Sequence, residues 1–373
     1  MTNREQECFY CIALSQIPRI SIRSGKKLYD IIGSATEIFL HAKELPERIT
    51  DLNPEIVKWL DCSSALSRAD EEMNFIIKNN ISFFTICDDG YPSRFKDCDD
   101  ASLVLFLKGN ADLNVKHIIS VVGTRKATDY GKQFCNTFIR DLKAICPDIM
   151  IVSGLAYGID ICSHRVALDN SLSTVGVLAH GLDRIYPSIH RNTAVKMLEN
   201  GGLLTEFISG TNPDPYNFVS RNRIVAGISD AVIVVESAAK GGSLITAEIA
   251  ESYNRDCFAL PGRIGDVYSV GSNQLIHDNK ASLLFNAVDF VKAMGWDESN
   301  KIKEPIIQRN FFPDLNVEEQ KVVRLLDERG NLQINILSVE LGVPVFKMNS
   351  ILFELEMKGI IRTMAGGMYQ LLR

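Results

Sequence analysis

The sequence has no long hydrophobic run and no excess of positive charge. Its longest apolar stretches, such as residues 231–235, are the length of a buried strand and fall short of the ~18 residues that span a membrane. The 373 residues include 40 Lys and Arg against 46 Asp and Glu, which gives a formal net charge of −6. Such a chain has no overall positive field that would attract nucleic acid or anionic lipid. Any nucleic-acid site must therefore be a local pocket.

The nine cysteines follow no spacing that builds a disulfide framework or a metal site. Cys8 and Cys11 have the spacing of half a zinc site, but no matching second pair follows them. We interpret the cysteines as reduced core thiols, and we expect neither a metal nor a cofactor. The N-terminal stretch is acidic, unlike a secretory signal, and together with reduced cysteines this favours a soluble, cytoplasmic protein.

Short buried strands alternate with helices through the middle of the chain. After short helices in residues 1–75, a first strand is predicted at 81–86, and from residue 117 apolar runs alternate with helical patterns. The predicted strands there are residues 118–122, 149–152, 174–178, 231–235 and 257–260. This alternation is typical of an α/β fold with a doubly wound, mostly parallel sheet.

The C-terminal part has a different pattern. A linker that is rich in charge and contains prolines is predicted at 296–316, followed by three helices and two short strands, which are typical of a winged helix. The predicted domains are therefore a helical domain at 1–75, an α/β domain at 76–295 and a winged-helix domain at 317–373. The last has 7 basic and 7 acidic residues, too few net charges for a strong duplex-DNA reader.

Three of the predicted strands end in glycine-rich turns. These turns are Gly123-Thr124-Arg125, Ser153-Gly154 and Lys240-Gly241-Gly242-Ser243. Glycine allows backbone N–H groups to approach a phosphate, and a following helix adds a favourable dipole; we expect Ser243 to cap such a helix. Because ligands bind at the carboxyl ends of parallel strands, we predict an anion site at this edge. The turns match neither the dinucleotide fingerprint nor the Walker loop, and plain turns with a solvated Arg125 remain the alternative.

An aromatic residue and two arginines stand close together further along the chain. Phe218 is followed by Arg221, Asn222 and Arg223, which are predicted to lie just before a helix at 224–227. Single-stranded nucleic acid is bound by such sets, because the ring stacks on a base and the guanidinium groups bind phosphate. A salt-bridged helix face with Phe218 in the core is the alternative interpretation.

Together these residues resemble the bacterial DprA/Smf DNA-processing family. The matching motifs are Gly123-Thr124-Arg125, Tyr130-Gly131, Ser153-Gly154-Leu155-Ala156, Gly158-Ile159-Asp160, His164, Gly181-Leu182-Asp183, Tyr186-Pro187, Arg221-Asn222-Arg223-Ile224, Val235-Glu236, Gly242-Ser243, Thr246-Ala247, Pro261-Gly262 and Asn273-Gln274-Leu275-Ile276. The resemblance covers roughly residues 75 to 285. It implies a Rossmann-like, non-catalytic homodimer that binds single-stranded DNA during natural transformation, protects incoming strands and loads the RecA recombinase onto them.

The resemblance also places the DNA-binding site. The family's pocket uses a glycine–arginine loop and an aromatic residue, which correspond to Gly123, Arg125 and Phe218. Pro215 stands where the family can have a lysine, and we expect Arg191 to replace that phosphate contact. The full predicted set is Gly123, Thr124, Arg125, Ser153, Gly154, Arg191, Phe218, Arg221, Asn222, Arg223, Lys240, Gly241, Gly242 and Ser243.

A second hypothesis is a nucleotide-cleaving enzyme. The turn at Gly241-Gly242-Ser243 resembles part of the phosphate-binding motif of the lysine-decarboxylase-like phosphoribohydrolases, in which Arg125 and Glu236 would face a ribose. That motif's proline and third glycine are missing here. Asp160 and His164, four residues apart on a predicted helix, have no accompanying nucleophile, so we interpret them as structural rather than as an acid–base pair.

Overall fold

The computed structural model describes residues 2–49, 53–297, 315–364 and 367–372. It divides into two compact units, Met1–Trp296 and Asp297–Arg373. The helices are α1 Asn3–Ser15, α2 Ile22–Ile32, α3 Ala35–Leu40, α4 Leu45–Arg48, α5 Glu55–Leu60, α6 Ser63–Lys78, α7 Ser93–Lys96, α8 Asp129–Ile145, α9 Ile159–Asp169, α10 Arg191–Met197, α11 Pro215–Gly227, α12 Gly242–Ser252, α13 Val270–His277, α14 Ala287–Ala293, α15 Val317–Arg329, α16 Ile334–Leu341 and α17 Val345–Met357. The strands are β1 Ser82–Thr85, β2 Val104–Gly109, β3 Ile118–Val122, β4 Met150–Ser153, β5 Thr174–Val177, β6 Gly201–Thr205, β7 Ala231–Val234, β8 Asp256–Ala259, β9 Ser282–Leu283, β10 Leu332–Gln333, β11 Ile361–Met364 and β12 Met368–Leu371. Most of the predicted linker at 296–316 lies outside the described residues. The predicted domain boundaries therefore stay predictions.

The first unit is built on a nine-stranded sheet. Its strand order is β1-β2-β6-β5-β4-β3-β7-β8-β9. Neighbouring strands run parallel from β6 through β9, and only the pairs β1–β2 and β2–β6 are antiparallel. The predicted doubly wound, mostly parallel sheet is confirmed.

Three strands of this sheet, β2, β6 and the two-residue edge strand β9, were not predicted. Strand β6 begins with Gly201 and Gly202, which lie so close to the backbones of Thr174 and Lys108 that side chains there would overlap them. A pair of glycines is typical of a turn, so the sequence pattern did not indicate a strand here. Strand β6 needs these glycines because neighbouring backbones approach it closely. Strand β2 lies antiparallel between β1 and β6, an arrangement that an alternating strand–helix pattern does not predict.

Hydrophobic cores cover both faces of the sheet. Strands β3 and β7 are buried along their whole length, since helices pack on either side of them. One core joins the N-terminal helices to one face, and Cys8 and Cys11 are fully buried within it. The prediction that these two cysteines are core thiols is confirmed.

Helix α11 begins earlier than predicted. Pro215 occupies its first position, where proline fits because that N–H has no partner inside the helix. Phe218 and the Arg221-Asn222-Arg223 segment are therefore inside the helix, and the prediction that they precede a helix at 224–227 is wrong. The predicted cap at Ser243 is also wrong: Gly241 is the N-cap of α12, and the Ser243 hydroxyl donates to Ser237 Oγ at 2.9 Å.

The second unit has its own small core. Helices α15, α16 and α17 pack with a three-stranded antiparallel sheet of order β10-β12-β11 around Leu337, Met348 and Leu352. The three predicted helices and two predicted strands are present, with β10 in addition, while the winged-helix assignment stays a prediction. Among the described residues no single helix is long and apolar enough to cross a membrane; only the pair Ile334–Leu341 and Val345–Met357, bent by 111°, reaches that length and composition together.

Candidate functional site

A pocket opens at the carboxyl edge of the parallel strands. Strand β3 has β4 on one side and β7 on the other, so the chain order reverses beside it. Such a switch point is where α/β sheets leave a crevice for ligands. The pocket has a volume of about 560 Å³ and is lined by the turns after β3 and β4, by helix α11 and by the start of α12.

Most of the predicted site residues meet in this pocket. Those that line it are Gly123, Thr124, Arg125, Gly154, Phe218, Arg221, Asn222, Gly241, Gly242 and Ser243. Ser153 does not, because its buried hydroxyl donates to the carbonyl of Val121 at 2.6 Å. Arg191 begins α10 and Lys240 is exposed beside Gly241, and neither lines the pocket.

Helix geometry separates the two arginines of α11. Phe218, Arg221 and Asn222 share the face that lines the pocket, whereas Arg223 is about 200° around the helix from Arg221. The Arg223 guanidinium donates to the Glu206 carboxylate and to the carbonyl of Asp100, on the opposite side of α11. Burial lowers the pKa of Arg223, but the charges of Glu206, Asp100 and Tyr253 and the hydrogen bond to Glu206 together outweigh this and raise it. Arg223 is thus a structural residue of this helix.

Arg221 forms a fixed wall of the pocket. Its Nη1 donates to the carbonyl of Gly154 at 2.6 Å and to the carbonyl of Val177, so it ties α11 to the ends of two strands. A side chain at position 154 would overlap the guanidinium, which explains the glycine there. Burial lowers the pKa of Arg221 to about 10; Asp160 opposes this change and Arg125 adds to it. The group therefore keeps its positive charge at neutral pH.

Asp160 faces Arg221 from the start of α9. Burial raises the pKa of Asp160, while the Arg221 charge lowers it in part, and Oδ2 accepts the N–H of Ala156 at 3.3 Å. His164 pairs through Nδ1 with Thr174 Oγ1 at 2.7 Å, and burial lowers its pKa to about 3, so the ring is neutral. These partners support the structural interpretation of both residues over an acid–base pair.

Phe218 is the centre of an aromatic and cationic cluster. Its half-buried ring has the Arg125 guanidinium carbon 5.3 Å from its centroid and that of Arg221 at 6.0 Å. The ring of Tyr186 lies 5.9 Å away, tilted by 56°. Phe218 is therefore at the pocket wall rather than in the core. The cluster offers a π-face to a planar ring and cations to an anion, at a distance typical of cation–π contacts.

Sequence reasoning left several lining residues out of the site, among them one aromatic residue and one cation. Tyr186 comes from the segment after β5 and is about half exposed, and Lys126 is exposed beside Arg125. A signal existed for both: Tyr186 belongs to a motif of the family resemblance, and Lys126 directly follows a predicted cation. Among the described residues, no group of three or more His, Cys, Asp or Glu could hold a metal ion.

Internal packing explains most of the glycines in these turns. A Cβ at Gly123 would lie 2.6 Å from Ile159 Cγ1, and one at Gly241 would overlap the hydroxyl of Ser237. Among the glycines of these three turns, a Cβ would meet open space at Gly242 alone, which is the first residue of α12. Packing therefore does not explain the glycine at 242, and the approach of a phosphate to these turns stays a prediction.

Comparisons with known proteins agree with this site. A family model described as DNA recombination-mediator protein A matches residues 82–295. The chain belongs to this family. DNA processing protein DprA of Streptococcus pneumoniae is 39% identical over 195 residues, which are 52% of this chain and 68% of that protein. Protein Smf of Escherichia coli is 33% identical over 287 residues, which are 76% of this chain and 75% of its own length.

Two solved structures extend the similarity to the fold. The DprA structure from Streptococcus pneumoniae has a TM-score of 0.62 at 30% identity and covers 79% of this chain and 98% of its own. A DprA structure from Helicobacter pylori, described by its single-stranded DNA binding mode, has a TM-score of 0.52 at 30% identity, covering 58% and 96%. The resemblance to the DprA/Smf family and its Rossmann-like sheet is confirmed.

Proposed function

We propose that this protein binds single-stranded DNA without catalysis, protects incoming strands and loads RecA recombinase onto them during natural transformation, as a homodimer. The observation that carries the DNA-binding part is the cluster of Phe218, Arg125, Arg221 and Tyr186 at the switch point of the sheet. Membership in the recombination-mediator family and similarity to a DprA described as binding single-stranded DNA support it. Strand protection, RecA loading and the dimer rest on the family resemblance.

The pocket suits an unstacked base better than a duplex. A base can lie against Phe218 beside Tyr186 only when its faces are free, which is the case in a single strand. The exposed cations Arg125 and Lys126 stand at the mouth of the pocket, where the adjoining phosphates would pass. Arg221 adds a fixed positive charge to the wall. Stacking and phosphate contacts of this kind are tolerant of sequence.

The geometry disfavours the nucleotide-cleaving alternative. Arg125 lines the pocket described above, whereas Glu236 lines a different one on the far side of the β3–α8 turn. The buried Glu236 carboxylate accepts the N–H of Thr128 at 2.9 Å and its hydroxyl at 2.5 Å, which fixes the start of α8. The two groups therefore do not face one ribose, and binding without catalysis is the function we propose.

Replacing Arg125 by alanine should weaken single-strand binding and flatten its salt dependence. Each phosphate contact on a single strand contributes about 0.7 to the slope of log K against log salt, because a condensed counterion is released. We expect the slope to fall by about that amount. Fluorescence anisotropy of a labelled oligonucleotide at several salt concentrations measures this, with Arg140→Ala as control since Arg140 is exposed on α8 and pairs with Asp141. An unchanged slope in a folded variant contradicts the assignment.

Deleting residues 305–373 should change single-strand affinity by less than about threefold, on the same counterion argument. The lysines at the two ends of α17 are already paired, Lys347 with Glu318 and Lys358 with Glu319 at 2.7 Å. Phe346 is exposed while Met348 is buried, so α17 presents little charge to a phosphate backbone. Anisotropy with single-stranded and duplex oligonucleotides tests this. A duplex affinity in the submicromolar range that is lost on deletion would show that the unit reads DNA.

A further inference from the structure

A second pocket adjoins the first along the same edge of the sheet. It has a volume of about 900 Å³ and lies at the ends of β3, β7 and β8, with most of the segment between β8 and α13 as its outer wall. Lys126 lines the first pocket and Thr128 lines the second. Positions two residues apart are separated by at most about 7 Å. The two pockets are therefore divided only by the turn that carries Arg125 and Lys126.

The walls of the second pocket carry two partly exposed aromatic rings, one of which is held by a hydrogen bond. Tyr130 comes from the first turn of α8, and its hydroxyl donates to the carbonyl of Pro261 at 2.7 Å, so the half-exposed ring is held by a hydrogen bond. Tyr268 is half-buried on the outer wall. Tyrosine rings that remain partly exposed offer π-faces for stacking on a planar ring, because the side chain has few rotatable bonds to immobilise.

The charges of the second pocket favour a base over a phosphate. Arg263 lines it, is exposed and makes no ion pair within the described part of the chain, but the carboxylates of Glu236 and Asp266 lie there too. Each carboxylate oxygen of Glu236 accepts one hydrogen bond from Thr128, and each can accept another. A phosphate would be repelled by these acids, whereas base amino groups would donate to them. The exposed cations Arg125 and Lys126 stand on the turn between the pockets, where a phosphate linkage would cross.

We propose that the second pocket binds a further base of the same single strand, so that the strand crosses the β3–α8 turn with its phosphates against Arg125 and Lys126. This rests on the proposed function, since it adds a second subsite to a single-strand site. Stacking at Tyr268 is the contact that defines the subsite, and Arg263 lies at its mouth.

Replacing Tyr268 by alanine tests the subsite with a labelled twelve-nucleotide single strand. Loss of one stacked base should weaken binding about fivefold or more. The slope of log K against log salt should stay unchanged because no phosphate contact is lost. Tyr268→Phe keeps the ring and should bind as the unmodified protein does. Affinity within twofold of the unmodified protein for Tyr268→Ala, with Arg125→Ala clearly weakened, overturns the second subsite and leaves the proposed function standing. Failure of the unmodified protein to bind the strand overturns both.

A Tyr268→Trp variant keeps the proposal falsifiable if the alanine variant is poorly folded. A tryptophan that stacks on a base loses fluorescence, and only two tryptophans, Trp59 and Trp296, contribute a background. We expect quenching on titration with the twelve-nucleotide strand, beyond any change in the unmodified protein. The same titration with Arg140→Ala added should give the same quenching. Absence of quenching at saturating DNA would mean that no base enters the second pocket.

Discussion

Replacing Arg223 by alanine should lower the free energy of unfolding by about 3–5 kcal/mol and leave the DNA affinity of the folded protein unchanged. The Arg223 side chain is 7% exposed and that of its partner Glu206 is 10% exposed. The guanidinium also donates to Ser102 Oγ at 3.1 Å and to the carbonyl of Asp100. Truncating it leaves the Glu206 carboxylate buried without its counter-charge, which costs far more than the loss of an exposed ion pair.

Chemical denaturation gives the stability change, and anisotropy under native conditions gives the affinity. Arg223→Met combined with Glu206→Gln is the matched control, because removing both charges avoids the unpaired carboxylate and should cost less than Arg223→Ala alone. A variant that folds as stably as the original but binds DNA weakly would show that Arg223 faces the strand. The pairing with Glu206 on the far side of α11 makes the opposite result the expected one.

The meeting of the three glycine-rich turns was predictable from local patterns. Each pattern shows where a strand ends, and a parallel sheet brings the carboxyl ends of its strands to one edge. The turns at Gly123, Gly154 and Gly241 therefore meet in one pocket as expected. The direction of individual side chains was not predictable in the same way. Arg221 and Arg223 were grouped because they are close in sequence, but inside a helix residues two apart point to different sides. Missing the start of α11 at Pro215 was enough to misplace one of them.

The other features of the site that the sequence did not predict depend on contacts between residues that are distant in sequence. Tyr186 reaches the site because β5 lies beside β4, and no local pattern brings its ring to Phe218. The glycines at 123 and 154 are predicted to admit a phosphate, and their contacts with Ile159 and Arg221 show that packing requires them as well. A sequence shows where a glycine stands, and the folded structure shows which neighbour a side chain there would meet.

Replacing Phe218 by alanine should weaken single-strand binding by about 1–3 kcal/mol, which is roughly 5- to 150-fold, if a base stacks on its ring. The ring is half-buried and flanked by Arg125, Arg221 and Tyr186, so truncation removes a binding face and opens little of the core. We expect a much smaller loss of stability than for Arg223→Ala. Anisotropy and a melting curve on the same preparation separate the two effects, and Phe218→Trp, which keeps a π-face, should retain binding.

A double-mutant cycle shows whether the ring and the nearest exposed cation act on the DNA as one surface. The Arg125 guanidinium lies 5.3 Å from the Phe218 centroid, close enough that each side chain helps to position the other. The affinity losses of Phe218→Ala and Arg125→Ala should therefore not add, and we expect a coupling energy of about 0.5 kcal/mol or more between them. Strict additivity would mean that base and phosphate are held at separate places. A coupled loss means that the strand is bound where the ring and the guanidinium meet, at the switch point of the sheet.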